Sequence, residues 1–302
     1  MDYKKLFKSR ETRFKILKAL SFVPDSMMLP LQYYIYTGQR LHLSNPQRYT
    51  EKLQLYKMYY RYPVLNICVD KYRVREYIEE KGLGHILNEL YCVTNDATKI
   101  DFSALPNQFV AKTTDGGGGN NVLICRDKSK LDIEKAKDDL NSWLGIKFIN
   151  PGREWAYTGI TESQIIIEKY FENKDNPEGG ITDFKFLCFN GEPSYVIVDW
   201  DRFIDHKRNI FTCDWKKMDV EASDSVCSPE DFPKPENLDD MLSIARTLSA
   251  DFPFVRVDLY NIEGKIYFGE LTFYPWSGYV NFTPDGFDYE LGSLFDCSSF
   301  MK

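Results

Sequence analysis

The chain has 302 residues, of which 43% are apolar, 15% aromatic and 27% charged, and its formal net charge is −7. Such a length buries a sizeable core without disulfide or metal staples, and the composition excludes disordered, collagen-like and coiled-coil classes. No apolar run reaches the ~18 residues of a membrane span, and the acidic balance excludes a dedicated nucleic-acid binder, whose affinity comes mostly from basic contacts to phosphate.

The N-terminal 20 residues run against that balance. They hold seven basic residues (Lys4, Lys5, Lys8, Arg10, Arg13, Lys15 and Lys18) and two acids, Asp2 and Glu11, so they carry +5 while the rest carries −12. Tyr3, Phe7, Phe14 and Leu17 recur between them at helical spacing. The pattern fits a helix on an anionic membrane surface, and equally a helix docked on the fold with a solvated basic face. No secretory leader pattern is present. The seven cysteines (Cys68, Cys92, Cys125, Cys188, Cys213, Cys227 and Cys297) are odd in number, scattered and free of C-x-x-C pairs. They read as free thiols of a reducing, cytoplasmic compartment. His42, His85 and His206 sit in unrelated segments, which argues against a histidine metal cluster.

Helices are expected over 51–62 and 70–82, the second opened by Asp70 and closed by Gly82. Phe109–Lys112 reads as a short strand, followed by a glycine-rich loop and a second strand, Asn121–Cys125. A helix follows at 131–143, then a β-branched strand, Ile165–Tyr170, and a polar stretch, Glu172 to Gly180. Strands at 182–189 and 194–200 flank Asn190-Gly191, a strong hairpin signal. A helix at 236–249 precedes two closing strands, 254–260 and 265–273. The order reads as mixed α+β with mainly antiparallel sheets and no repeats.

Two segments carry chemistry. In Lys112-Thr-Thr-Asp-Gly-Gly-Gly-Gly-Asn-Asn121, four glycines (Gly116, Gly117, Gly118, Gly119) lose much backbone entropy on ordering. That suits backbone N–H groups closing on a phosphate chain, with Lys112 neutralising charge beneath. The context is strand–loop–strand, so this is neither a Walker loop nor a dinucleotide fingerprint. A flexible surface loop is the plain alternative. In Phe254-Val-Arg-Val-Asp-Leu-Tyr260, alternation puts Arg256 and Asp258 on one face. Glu270 and Thr272 share a face of the next strand, and Asp258 and Glu270 share a face if the connection is odd-membered or bulged. Two converging carboxylates and a hydroxyl call for a cation, and hard oxygen donors suit Mg²⁺ completed by phosphates and water. A solvent-facing polar sheet surface is the plain alternative here.

In order and spacing, Asp70-Lys71-Tyr72, Lys112 with its glycine loop, Glu168-Lys169-Tyr170, and Arg256-Val-Asp258 with Glu270-Leu-Thr272 resemble the ATP-grasp superfamily. More narrowly, the chain from about Asn45 to Gly292 is similar to the TupA-like (teichuronopeptide biosynthesis) ATP-grasp proteins. Further residues of that likeness are Glu51-Lys52-Leu53-Gln54, Asp183-Phe-Lys-Phe186, Phe189-Asn-Gly191 and Gly269-Glu-Leu-Thr-Phe-Tyr-Pro275. The resemblance implies an ATP-grasp fold: a helical N-terminal region (1–60), an N-terminal lobe (61–106), a lid subdomain (107–176) and a C-terminal catalytic subdomain (177–302), with ATP gripped between two α+β subdomains. It implies that Lys71 and Lys112 meet the ATP phosphates, that Gly116 to Asn120 form the lid loop, and that Glu168, Lys169 and Tyr170 meet adenine. Asp258 and Glu270, with Thr272, would hold Mg²⁺. Thr272 stands where many ATP-grasp ligases carry an Asn for a second ion. Arg256 would stabilise an acylphosphate, and Lys185 would reach the phosphates or the acyl donor.

The implied reaction joins an amine (an amino acid or amino alcohol) to a sugar carboxylate such as a hexuronic acid, in bacterial surface-polysaccharide synthesis. The rival is a glycosyltransferase, for which Asp199-Trp200-Asp201 supplies a D-x-D triplet. Against it, the chain opens with helices and not with a parallel βαβ unit, and the triplet reads as polar residues at a strand end. A non-catalytic nucleotide-binding scaffold is the third class. Arg202, Trp276 and Ser277 are expected on the acceptor side of the cleft.

Overall fold

The computed structural model describes residues 19–116, 121–144, 152–174, 176–225 and 227–300. Most of the basic N-terminal segment, and Gly117, Gly118, Gly119 and Asn120 of the glycine loop, lie outside the described residues.

Among the described residues the first elements are the helices α1 (Asp25–Thr37), α2 (Tyr49–Tyr59), α3 (Val64–Cys68) and α4 (Val74–Glu80). Tyr49, Leu53 and Tyr56 of α2 and Val74, Tyr77 and Ile78 of α4 are buried in the main core. The expected helix over 70–82 is shorter than its sequence pattern. Asp70 Oδ1 accepts the backbone N–H groups of Tyr72 and Arg73 at 2.9 Å each, and so caps the turn that leads into α4.

A four-stranded antiparallel sheet follows, in the order β1-β4-β2-β3, built from β1 (Leu90–Thr94), β2 (Phe109–Thr113), β3 (Val122–Cys125) and β4 (Ile165–Lys169). Phe109, Ala111, Ile165 and Ile167 share a core with Ala136 and Leu140 of α5 (Ile133–Leu144). By strand alternation the opposite face presents Val110, Lys112, Ile166 and Glu168.

The larger sheet has six antiparallel strands in the order β11-β10-β5-β6-β7-β8. They are β5 (Asp183–Phe189), β6 (Glu192–Trp200), β7 (Lys207–Thr212), β8 (Lys217–Met218), β10 (Phe254–Ile262) and β11 (Lys265–Thr272); β9 (Glu221–Ala222) pairs instead with β12 (Phe282–Thr283). Asn190 (φ 51°) and Gly191 (φ 84°) make the two-residue turn between β5 and β6, a left-handed pair that the twist of a tight hairpin favours. One face of the sheet packs on α6 (Leu238–Ser249) through Leu238, Met241, Ala245 and Leu248. α7 (Gly286–Leu294) closes the chain against α2, where Asp288 Oδ1 accepts from Thr50 N at 3.0 Å.

The Glu51-Lys-Leu-Gln54 segment on α2 is a structural clasp. Glu51 accepts backbone N–H groups from His42, Gln47 and Arg48. Lys52 Nζ donates to the carbonyls of Gly292 and Phe295, and Gln54 to that of Gly278, so α2 holds the chain just past β11. All seven cysteines are free thiols. Among the described residues no helix is long and apolar enough to cross a membrane.

Candidate active site

The second face of the six-stranded sheet is polar where β11, β10, β5, β6 and β7 run side by side. Arg256 lies opposite Thr272 and Asp258 opposite Glu270, with a bulge between Asp258 and Leu259 that makes Gly269 the extra residue. The bulge meets the condition that sequence alternation had set for the two carboxylates to share a face. A Cβ at Gly269 would stand 2.9 Å from the Asp258 carbonyl oxygen, so the close approach needs glycine. Asp258 is also opposite Lys185 on β5, and Asp183 is opposite Asp199 on β6.

Arg256 organises the first half of this surface. Its Nε and one terminal nitrogen donate to the two oxygens of Asp258, each at 2.7 Å. The same nitrogen reaches Glu270 Oε1 at 3.2 Å and Thr272 Oγ1 at 3.1 Å. Burial pushes the Asp258 carboxyl up to about 6, against the pull of Arg256 and Lys185. Glu270 stands at the mouth, its side chain 53% exposed. Desolvation pushes it up, but the charges of Arg256, Lys71 and Lys185 outweigh that and hold it below the usual carboxylate range.

Lys185 organises the second half. Its Nζ lies 2.7 Å from Asp183, 3.6 Å from Asp199 and 3.6 Å from Asp258. Asp199 also takes Arg208 Nε at 2.5 Å and His206 Nε2 at 2.9 Å, and Arg202 donates to Asp183. Burial works to raise Asp199, yet the Arg208 bonds and charge and the Lys185 charge bring it well below the ordinary value. Four carboxylates (Asp183, Asp199, Asp258, Glu270) thus face four cations (Lys185, Arg202, Arg208, Arg256), so the cluster is close to neutral.

The facing wall comes from the four-stranded sheet. Lys112 Nζ binds Glu168 Oε2 at 2.7 Å, and Arg75 reaches the other oxygen of Glu168 at 3.5 Å. Lys112 is opposite Ile166 and Glu168 opposite Val110, a cross-strand diagonal on the face turned away from the small core. Lys71 sits where β2 leads into the glycine loop. Its backbone N–H bonds Thr114 O at 3.1 Å, and its Nζ donates to Gly116 O at the root of the glycine loop. Desolvation lowers the Lys71 pKa, and Glu270, Lys112, Asp115 and Asp70 are the charges it feels.

Other sequence expectations are placed as follows. Lys169 is exposed, and its backbone is used by the neighbouring segment: its N–H bonds Glu89 O at 3.0 Å and its carbonyl accepts from Asn88 at 2.9 Å. Tyr170 is half-buried where the chain leaves β4, and the next residue, Phe171, packs on Tyr267 of β11 with ring centroids 4.4 Å apart. Asp199 does lie at the end of β6, but it is 1% exposed and held by three basic side chains, so it is no solvated strand end. Asp201, the other acid of the D-x-D triplet, accepts from Asn176 at 2.6 Å. Sequence reasoning missed Asp183, His206 and Arg208 as members of the cluster. It also missed a buried group beside the loop after β11: Lys57 Nζ donates to Ser277 O at 2.5 Å, and Ser277 Oγ donates to Glu154. Trp276 (φ 52°) and Ser277 (φ 54°) are left-handed there, a strain that tends to gather at functional loops.

The donor set fits a hard divalent cation. Asp258 and Glu270 offer paired carboxylate oxygens beside the Thr272 hydroxyl. Arg256 takes both Asp258 oxygens, and among the described residues no group of three or more metal-ligating side chains is assembled, so an ion held here would have to share Asp258 with Arg256 and complete its shell with phosphate and water.

The family profile described as TupA-like ATP-grasp matches residues 51–296. No curated protein sequence matches the chain. Among solved structures, it is similar to the ATP complex of D-alanine–D-alanine ligase from Bacillus anthracis (15% identity, 76% of this chain and 63% of that one, TM-score 0.44). It is similar also to D-alanine–D-alanine ligase from Helicobacter pylori (15% identity, 76% and 62%, TM-score 0.44), and to the ADP complex of N5-carboxyaminoimidazole ribonucleotide synthetase (15% identity, 74% and 50%, TM-score 0.40). The chain spans less than two thirds of the length of each of the three.

Proposed function

The chain belongs to the TupA-like ATP-grasp family, and from that premise we propose that it is an ATP- and Mg²⁺-dependent carboxylate–amine ligase. The observation that carries this reading is the gathering of Arg256, Asp258, Glu270 and Thr272 on one face of the last strand pair, in a chain whose Lys71 Nζ holds the Gly116 carbonyl at the root of the glycine loop and whose Lys112 pairs with Glu168.

A carboxylate is a poor acyl donor because its leaving oxygen is poor. In the proposed reaction a carboxylate oxygen of the acid attacks the γ-phosphorus of ATP, and ADP leaves. The amine nitrogen then attacks the acyl carbon, inorganic phosphate leaves with the C–O bond electrons, and the nitrogen loses a proton. Such chemistry asks the protein mainly for positioning and charge neutralisation. Lys71 and Lys112 supply positive charge to the phosphates, and Lys71 also fixes the base of the glycine loop. Glu168, Lys169 and Tyr170 line the adenine end. Asp258 and Glu270, with Thr272, hold Mg²⁺, which when bound neutralises phosphate charge. Arg256, anchored by two bonds to Asp258, presents a fixed guanidinium to the anion that forms. Lys185 holds Asp258 in place from the neighbouring strand. The loop over Gly116 to Asn120 keeps water from the activated acid.

The substrates we propose are a small amine and a sugar carboxylate such as a hexuronic acid, joined during bacterial capsular or surface-polysaccharide synthesis. The work is cytoplasmic, at the inner face of the membrane, where the basic residues 1–20 have an anionic partner. The glycosyltransferase reading finds less support, since the family profile that matches is an ATP-grasp one. Purified protein given Mg-ATP, a uronic acid and an amine should release ADP and phosphate in step with an amide detected by mass. Release of a nucleoside diphosphate from a sugar nucleotide without ATP, or ATP binding without turnover, would overturn the proposal.

A further inference from the structure

Among the described residues nothing covers the outward face of α1. Met27, Leu31 and Tyr34 recur at helical spacing and are 66%, 49% and 61% exposed, and Phe22 just before the helix is 82% exposed. The helix cannot roll to bury them, because its other face is tied down. Met28, Leu29 and Tyr33 are buried. Tyr33 Oη bonds Thr50 Oγ1 at 2.8 Å, Tyr279 Oη donates to Gln32 at 2.8 Å, and Asn281 donates to Thr37 O at 3.1 Å. Arg153 clamps the entrance, donating to the carbonyls of Leu20 and Val23 and to Asp25 at 2.6–2.8 Å. A fixed run of large exposed apolar side chains marks a contact surface.

We infer that this face of α1, Phe22-Met27-Leu31-Tyr34, docks the protein on an anionic lipid surface. Three observations favour lipid. The exposed positions of the helix (Ser26, Met27, Leu31, Tyr34 and Tyr36) are all uncharged, and its one acid, Asp25, is paired with Arg153. In sequence, residues 1–20 before the helix carry +5, and exposed Arg40 follows it. That combination is what interfacial helices use. A twofold contact between two copies would instead bring two such basic segments together. The inference rests on this surface and on the basic sequence before it, and stands whether or not the ligase proposal does. The inner face of α1 holds Tyr279 and Asn281, which follow the Trp276-Ser277 loop, so docking would fix the acceptor side of the cleft relative to the lipid.

The test is co-sedimentation of the full chain with phosphatidylcholine vesicles, with and without phosphatidylglycerol, alongside the double variant Leu31→Glu/Tyr34→Glu. Both side chains are exposed, so the variant should melt at the temperature of the parent. Expected are binding only to the anionic vesicles, weakening in high salt, and a loss of about tenfold or more in the variant. Absence of binding to anionic vesicles would overturn the inference. So would binding that the variant leaves unchanged, or a dimer in light scattering that the variant splits, which would make the face a self-contact. Soluble ADP release should be the same in both proteins, which separates this test from that of the ligase.

Discussion

Replacing Glu270 by Gln should separate chemistry from folding. The Glu270 side chain is 53% exposed, and its partners are Arg256 at 3.2 Å and the Thr272 hydroxyl at 3.1 Å. Its loss does not strand Arg256, which keeps two 2.7 Å bonds to Asp258. The pair is open to water and its attraction is screened, so its removal costs about 1 kcal/mol or less. In a chain of this size that lowers Tm by about 2 °C. The effect on turnover is of another order. Glu270 is one of two carboxylates proposed to hold the ion, and loss of one group that stabilises developing charge slows reactions about 10²- to 10³-fold. Scanning fluorimetry and a coupled ADP assay on the same preparation measure both numbers. A fall in Tm above about 10 °C, or ADP release at the parental rate, would refute the reasoning: the first would make Glu270 a structural residue, the second would remove it from the site.

Lys185→Met should do the opposite and damage the fold. Lys185 is 7% exposed and lies within 3.6 Å of Asp183, Asp199 and Asp258. Losing a buried cation among three acids should cost about 3 kcal/mol in urea unfolding, and a smaller cost would mean that Arg202, Arg208 and Arg256 suffice. Lys112→Ala should weaken ATP binding by calorimetry and also cost about 1–3 kcal/mol, because Glu168 is left with only the 3.5 Å contact to Arg75; adding Glu168→Ala should restore stability but not ATP affinity. Lys57 is fully buried, and burial lowers its pKa to about 8, below the 10.5 of the free side chain. Between those values the unfolded chain binds the extra proton, so this group's contribution to stability rises with pH across that window, by about 3 kcal/mol in all. The cysteines, pushed up by burial, act in the opposite sense. The stability of the parent minus that of Lys57→Met is therefore the quantity to follow from pH 7 to 10, and a flat difference would contradict the burial argument.

What the sequence disclosed was mostly local. The two strands around the glycine loop, the Asn190-Gly191 hairpin and the last strand pair follow from turn residues and alternation within about a dozen positions, and these carry Lys112, Arg256, Asp258, Glu270 and Thr272. Of the elements that escaped, three did so for identifiable reasons. α1 contains Pro30, which masks a helical pattern. β1 is half-buried along its whole length and so shows no clean alternation. β7 opens with Lys207-Arg208-Asn209, a polar start that resembles a loop; Arg208 and Asn209 lie inside the fold because Arg208 meets Asp199 and Asn209 donates to Glu230 O.

The same physics explains why half of the candidate site was hidden. Asp199 reads as the polar end of an apolar strand until its register is known. A shift between Leu187 and Cys188 in the β5–β6 pairing sets it opposite Asp183, and β7 then sets it opposite Arg208. Without that shift the β5–β6 register would move by one residue, and every side chain beyond it on one strand would face the wrong way. Two bulges, one here and one at Gly269, therefore decide which carboxylates meet. Each bulge is local in the backbone but has its effect across strands that are far apart in sequence. The same-face placement of Asp258 and Glu270 could be inferred as a condition, because a hairpin relates its two strands by one short loop. The four-acid, four-cation balance could not, because it depends on four strand pairings at once.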